Sequence, residues 1–348
     1  MRRGGLPFVS ILVLNYNGMA HLDEFLGSAT NLNYPRDKYE IVIVDNGSTD
    51  GSPEYIERNY PEVKLIRLDR NYGFAQGNNI GARYCKGDFL ALINNDTVLD
   101  KNWLIELVRA AMEKPDAIYG SVMLKYGTRD VIIYHGGKLT AWGFARHLRT
   151  WERYSSPGGK PIMTFYADGC GLLISKDLFL RLGGFDGDYF CVAEDYELSW
   201  KAWLMGHEVF LIPTAKFWHK VSATMGAMSS RHMYLLWRNQ LRNIIKFAEG
   251  ANMLRMLALT IIYTIFASIS LFCFLERKPY LILSVVKAYA DVLRELPRLM
   301  RKRGVFQQIR KLRDKQLRKM GLIMGFLESI SEQTKALLRR KYARKYIQ

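Results

Sequence analysis

The chain is poor in the residues that most often declare a chemistry. Its four cysteines (Cys85, Cys170, Cys191 and Cys273) form no CxxC pair and no metal-ligand spacing, and their scatter favours free thiols in a reducing compartment. No GxGxxG and no P-loop lysine follow the early strands, which counts against a dinucleotide dehydrogenase or a P-loop NTPase. No Ser-His-Asp or Cys-His arrangement suggests a covalent nucleophile. No secretory leader is legible either. Arg2 and Arg3 precede an apolar run at 8–14 that Asn15 and Asn17 interrupt, without a small-residue cleavage site, so the run reads as a strand.

Acidic residues are also scarce, 33 Asp+Glu against 50 Lys+Arg, for a formal net charge of +17. The excess is local. Residues 298–348 hold 16 Lys/Arg and 3 Asp/Glu, leaving about +4 for everything before them. A uniformly basic, nucleic-acid-coating surface is therefore not expected, and the C-terminal appendage needs its own explanation. The chain is long enough, and at 49% hydrophobic residues apolar enough, for a packed core.

In the first half, short apolar runs alternate with helix-like stretches. Runs at 9–14, 41–44, 63–68 and 89–93 are separated by helical patterns, which predicts an α/β fold with a mostly parallel sheet covered on both faces. In such sheets ligands bind beyond the carboxyl ends of the strands. Polar clusters sit at those ends: Asn15-Tyr16-Asn17-Gly18, Asp45-Asn46-Gly47-Ser48 and Asn94-Asn95-Asp96-Thr97. Asp45 suits a base or ribose contact, whereas Ser48, Thr49 and Asp50 suit helix N-capping. Asp96, flanked by amides, either holds Mg²⁺ or Mn²⁺ or caps the helix expected at 101–112. The stretch Asn71-Tyr72-Gly73-Phe74-Ala75-Gln76-Gly77-Asn78-Asn79 carries glycines that permit close approach and amides that suit sugar hydroxyls.

The second half holds Asp168-Gly169-Cys170-Gly171, the turn Gly183-Gly184-Phe185-Asp186, and Glu194-Asp195-Tyr196-Glu197 opening a helix. Three acids in four positions read either as a solvated first turn or as a general base at a cleft. His219 follows a strand-like run at 208–212; a lone histidine is ordinarily structural.

Taken together these stretches resemble the inverting family 2 glycosyltransferases of GT-A fold, and within them a rhamnosyltransferase-like branch of polysaccharide and cell-wall enzymes. The matching segments, in order over residues 8–225, are VSILVLNYNG, IVIVDNGSTDGS, NYGFAQGNNIG, FLALINNDTVL, the GGFD turn, EDYELSWKAWLMGHEVFLIPTA and HKVSAT. The resemblance implies a catalytic domain at 1–248 and roles by position. Asn15, Asn17, Asp45, Asn79, Asn95 and Asp96 would bind the donor, a dTDP-, UDP- or GDP-linked sugar. Asp96 and His219 would ligate Mg²⁺ or Mn²⁺. Asp195 would be the catalytic base with Glu194 beside it, and Asp168 and Gly169 would lie on the acceptor side. Only one carboxylate remains in the DxD-like element, and Glu197 stands where the second Asp of the ED motif is usual.

Residues 249–348 are expected to associate with a membrane. Positions 256–275 carry no charge over a bilayer-spanning length; a shorter apolar stretch at 280–293 and a basic amphipathic pattern at 305–320 follow. A single span would place the basic tail outside, against the positive-inside tendency. The favoured reading is therefore helices lying in or dipping into the cytoplasmic leaflet, with a two-pass hairpin or a soluble helical subdomain as alternatives. This places the chain peripherally at the cytoplasmic face of the cell membrane, acting on a lipid-linked or glycan acceptor, with no nucleic-acid partner. The competing functions are a nucleotidyltransferase of similar fold and a basic nucleic-acid- or membrane-binding scaffold with a degenerate transferase domain.

Overall fold

The computed structural model describes residues 5–128, 131–155, 158–220, 229–274 and 279–343. The stretch at 221–224 after His219, the Leu275–Lys278 junction and the side chain of Cys273 lie outside the described residues, as do Arg2 and Arg3. The expected alternation opens the fold: β1 (Val9–Asn15), α1 (Leu22–Ala29), β2 (Tyr39–Asp45), α2 (Ser52–Asn59), β3 (Lys64–Arg67), α3 (Gly73–Tyr84) and β4 (Phe89–Asn94). Then come β5 (Thr97–Leu99), α4 (Trp103–Glu113), β6 (Ile118–Lys125), β7 (Ile132–Tyr134), β8 (Gly137–Leu139), β9 (Ala145–His147), β10 (Ile162–Met163), β11 (Gly171–Ser175), α5 (Lys176–Arg181), α6 (Glu194–Leu204) and β12 (Val209–His219). The chain closes with α7 (Ser230–Phe247), α8 (Gly250–Phe274), α9 (Pro279–Arg294), α10 (Leu296–Gln308), α11 (Asp314–Lys319) and α12 (Phe326–Ala343).

The central sheet runs β10-β12-β6-β11-β4-β1-β2-β3, with β5 added to β12 and β7 to β6. β3, β2, β1 and β4 are parallel, as helical crossovers require. β11 enters antiparallel between β4 and β6, so the sheet is mixed. The reason is connectivity: between β6 and β11 the chain forms the β8–β9 ribbon in place of a crossover helix. Val9, Ile11, Leu12, Val13 and Leu90 to Leu92 are fully buried, the continuous apolar runs of strands covered on both faces.

Two glycines of the 71–81 stretch, Gly77 and Gly81, do approach closely, but to the sheet, while Gly73 approaches Phe190. A Cβ on Gly77 would stand 2.4 Å from Leu14, and one on Gly81 2.5 Å from Val44. α3 therefore lies flush on β1 and β2, which carries its N-terminus to the strand ends.

The C-terminal third departs from a detached tail. α7 packs on α9 and α10, and the chain then returns to the α/β body: Lys311 donates its amide to Leu204 O at 2.7 Å, Met324 to Leu139 O at 2.8 Å, and Leu317 and Met324 are fully buried. The pattern at 305–320 is not one amphipathic helix; α10 ends at Gln308 and α11 starts at Asp314 because the intervening turn docks on the body. Among the described residues no helix is long and apolar enough to cross a membrane. α8 and α9 still present Leu254, Ile261, Ile262, Ile265, Phe266, Leu283, Val286 and Leu293 to solvent.

Candidate active site

Parallel register sets Asn15, the last residue of β1, level with Asp45, the last of β2. The Asn15 amide donates to Asp45 Oδ1 (3.0 Å), Ser48 Oγ (3.2 Å) and Ser52 Oγ (2.8 Å), and its oxygen accepts from Asn95 Nδ2 (2.7 Å). Asp45 Oδ2 accepts from the Ser48 amide at 3.1 Å. Both residues are buried, so together they bolt three loops to one another. Asn17, at φ 50°, accepts from Thr49 N at 2.8 Å. Ser48 joins loops through the Asn17 amide, whereas Asp50 both accepts from Met19 N and takes the first amide of α2, Ser52 N, at 3.0 Å, although the N-cap position itself is Gly51. Asn79 spends both amide atoms on one backbone unit, donating to Phe185 O (2.8 Å) and accepting from Phe185 N (2.9 Å), which ties α3 to the 183–186 turn.

The end of β12 runs antiparallel to β5 and sets His219 opposite Thr97. His219 Nε2 thereby meets Asp96 Oδ1 at 3.0 Å, and the Lys220 amide donates to Asp96 O at 3.0 Å. Asp96 does not cap α4, which begins seven residues later against Asp100 O. Burial pushes the Asp96 carboxyl upward, but the His219 contact outweighs it and holds the group below the usual carboxylate range. Among the described residues no three acidic, histidine or cysteine side chains form a metal cluster. An adjacent carboxylate oxygen and imidazole nitrogen, with His219 Nδ1 buried and unpartnered, nevertheless fit a divalent cation whose other ligands come from a diphosphate.

α6 opens on a strained approach. Phe190 (φ 63°, ψ −67°), Val192 (φ 71°) and Ala193 (φ 76°) all have positive φ, and Cys191 N bonds Tyr189 O at 2.8 Å, closing a γ-turn. α7 holds this backbone. Asn239 donates to the carbonyls of Tyr189 (3.2 Å), Cys191 (3.0 Å) and Val192 (2.7 Å), and Asn243 to that of Ala193 (3.2 Å). Strain persists where surroundings over-determine it.

The loop delivers Asp195 to Gly169, whose amide donates to Asp195 Oδ2 at 3.2 Å. Asp168 accepts from Cys170 N (2.9 Å) and stands 3.5 Å from His147 Nε2. Burial first, and Asp168 second, push the Asp195 carboxyl up to about 7; burial and then Asp195 push Glu194 well up. The three acids are thus not a solvated first turn. Glu197 faces away into the core, fully buried, 3.1 Å from both Lys246 and Lys201. Lys246 also pairs with Asp186 (2.9 Å), which Lys302 holds from the other side (2.8 Å).

Two cavities meet at this point. The larger, about 460 Å³, is lined by Asp96, Asp168, Gly169, Glu194, Asp195 and His219. The smaller, about 280 Å³, is lined by Tyr16, Asn46, Asn71, Asn95, Asp96 and Arg231. Both reach Phe74, Asn94, Asp96 and Cys191. Asn15, Asn17, Asp45 and Asn79 line neither. Sequence reasoning missed Asn46 and Asn71, which stand inside stretches it singled out and bond each other at 3.0 Å. It also missed Arg231, His232 and Gln240, all on α7, where no sequence pattern pointed to a site.

Comparison with known proteins bears on the fold. The poly-β-1,6-N-acetyl-D-glucosamine synthase of Staphylococcus epidermidis is 26% identical over 249 residues, 70% of this chain and 54% of that protein. GalNAc-T7, solved with UDP, GalNAc and Mn²⁺, superposes with a TM-score of 0.57 at 21% identity, over 69% of this chain and 48% of that one. S. aureus TarS 1–349 in complex with UDP superposes with a TM-score of 0.54 at 18% identity, over 97% and 90%. These likenesses show a shared GT-A-like α/β fold. The chain spans between 34% and 58% of the length of the curated relatives it matches. Residues 10–179, just under half of the chain, match the model of glycosyl transferase family 2.

Proposed function

We propose that the chain is an inverting glycosyltransferase that moves a sugar from a nucleotide-diphosphate donor to a hydroxyl of a lipid-linked or polysaccharide acceptor at the cytoplasmic face of a membrane. The observation that carries this reading is the convergence of Asp96, His219 and Asp195 where the two cavities join. The smaller, amide-lined cavity with Arg231 suits the nucleotide diphosphate; the larger suits the acceptor. Asp45, Asn15, Asn17 and Asn95 shape the donor loops, and Asn79 braces the 183–186 turn that leads to the acid-bearing loop. The rhamnosyltransferase-like branch, and with it a dTDP-linked donor, rests on the sequence motifs alone; UDP- and GDP-linked sugars are the other candidates.

Asp195 takes the proton of the attacking hydroxyl, and a carboxylate raised toward neutrality is a stronger base than an exposed one. The hydroxyl displaces the nucleotide diphosphate from the opposite face of the anomeric carbon. Asp96 and His219 would hold Mg²⁺ or Mn²⁺, which when bound stabilises the charge of the departing diphosphate. The solvent-facing apolar residues of α8 and α9 support attachment in the leaflet without crossing it, which raises the effective concentration of a membrane-borne acceptor.

The test is hydrolysis of a panel of dTDP-, UDP- and GDP-sugars with Mn²⁺, Mg²⁺ or EDTA, beside Asp96→Ala. Metal-dependent release of one nucleoside diphosphate, abolished by the substitution, is expected. No turnover and no thermal stabilisation by any nucleotide with metal would overturn the reading. Co-sedimentation with anionic vesicles tests attachment, which α8 and α9 predict and which its absence would remove.

A further inference from the structure

We infer that the α7 wall of the larger cavity is an acceptor subsite for a neutral polyhydroxyl group, a glycan ring, recognised by Gln240 with Tyr166 and Glu194. The inference rests on the transferase reading and names the chemistry of its acceptor.

Gln240 is only 4% exposed, lines the cavity, and its Oε1 has no partner in the protein. Tyr166, 1% exposed, leaves its hydroxyl unpartnered in the same cavity, and Glu194, 7% exposed, leaves Oε2 so. Leaving a buried polar atom unpaired is unfavourable, and these three, beside the unpartnered Tyr196 hydroxyl and His219 Nδ1 of residues on the same cavity, mark the place where a ligand completes them. Their types are complementary: an amide oxygen accepts and a phenol donates, and a hydroxyl does both. His232, Leu236 and Gln240 recur every fourth residue, one stripe of α7 turned to the cavity. Phe74 and Tyr196 add ring surface for the C–H face of a sugar.

Charge decides against an anionic acceptor end. Among the described residues no Lys or Arg lines this cavity, whereas Arg231 lines the smaller one. Away from the Asp96–His219 pair, whose cation would be engaged by the donor diphosphate, a phosphate or carboxylate would face Asp168, Glu194 and Asp195 without a side-chain counter-charge. His147 and His232 do not supply one, since burial lowers the tendency of both to protonate.

The experiment uses the full chain with whichever donor it hydrolyses. Transfer is measured to a panel of p-nitrophenyl glycosides and to a short polyprenyl phosphate, for the native chain, Gln240→Leu and His232→Ala, with melting temperature as the folding control. Glycosides are expected to serve as acceptors and the polyprenyl phosphate not. Gln240→Leu should raise the glycoside KM by about tenfold, with a much smaller change in donor hydrolysis by water. His232→Ala should do the same more weakly and serves if Gln240→Leu does not fold. Transfer to the phosphate, or acceptance of no glycoside while donor is hydrolysed, overturns the subsite alone. So does an equal fall in hydrolysis and transfer in a folded variant. Failure to bind any nucleotide removes the transferase reading itself.

Discussion

The donor loops at the ends of β1, β2 and β4 and the acid-bearing loop before α6 are built in opposite ways. In the first, neighbouring polar groups satisfy one another: Asn15 alone links Asp45, Ser48, Ser52 and Asn95. In the second, backbone of positive φ, buried carboxylates and unpartnered polar atoms are held in place from outside by α7. A network closed on itself is a scaffold that a ligand joins. A strained loop clamped by a remote helix is a conformation that exists because the whole fold is present, and it is the one that carries the base.

The largest effect expected from breaking this contrast is at Asp195. Asp195→Asn should reduce transfer by about 10²–10⁴-fold while leaving nucleotide binding intact. The folded chain should also melt higher near pH 8. The sign follows from the raised carboxyl: the native state prefers the protonated form, so stability is lost as pH rises through about 7, and the amide removes that loss. For the native chain, kcat/KM should climb as pH rises through about 7 and then level, since only the carboxylate is a base. Asp168→Asn, which removes the second cause of the shift, should move this limb to lower pH. A limb that stays in place would detach it from Asp195.

Next is the buried charge beneath the loop. Lys246 is fully buried between Glu197 and Asp186. Lys246→Met leaves Glu197 to Lys201 and Asp186 to Lys302, and should cost about 3–5 kcal/mol in denaturant unfolding. Pairing it with Glu197→Leu should recover part of that loss; strict additivity would mean that the two groups do not interact. Acid should act in the same direction. Burial raises the Asp186 carboxyl, but Lys246 and Lys302 outweigh it and hold it well below its usual range, so its stabilisation is present above the ordinary carboxylate range and lost as pH falls below it.

Asn239→Ala removes the one amide group that contacts three carbonyls of the strained loop, without touching the cavity lining. If the strained loop sets the base, kcat should fall by about 10–100-fold, the cost of misplacing a reacting group by about an ångström, with nucleotide affinity within about twofold. An equal loss in nucleotide binding would make α7 a general support.

Much of the first region was legible in sequence because its chemistry is local. A strand end, its polar cluster and the next helix lie within about ten residues, so the α/β alternation and the positions of Asn15, Asp45 and Asp96 follow from spacing. What spacing does not carry is which polar atoms point at each other. Asn46 and Asn71 were hidden by that, and the glycines at 77 and 81 suggested ligand approach where the sheet is what they approach. The second region depends on contacts across some fifty residues. Glu197 stands three positions after Glu194 in sequence, yet the first turn of α6 sends it to Lys246 and the core while Glu194 and Asp195 face the cavity. Gln240 had no signal, since an amide in an amphipathic helix reads as surface.

The finest division between the two regions runs through Asn79, which stands in the donor stretch but bonds the turn leading to the acid loop. Both of its amide atoms are taken by Phe185, and it lines neither cavity. Asn79→Ala should therefore act on stability, by about 1–2 kcal/mol for the two lost bonds, with donor KM changed by less than about twofold. Phe185 loses its partners at a turn whose Gly184 has positive φ (64°) and packs on Asn79 itself, so the effect should appear as a lower denaturation midpoint. If donor KM instead rises tenfold at an unchanged melting temperature, Asn79 turns from the brace toward the nucleotide in the complex, and the boundary between scaffold and clamp lies one helix earlier.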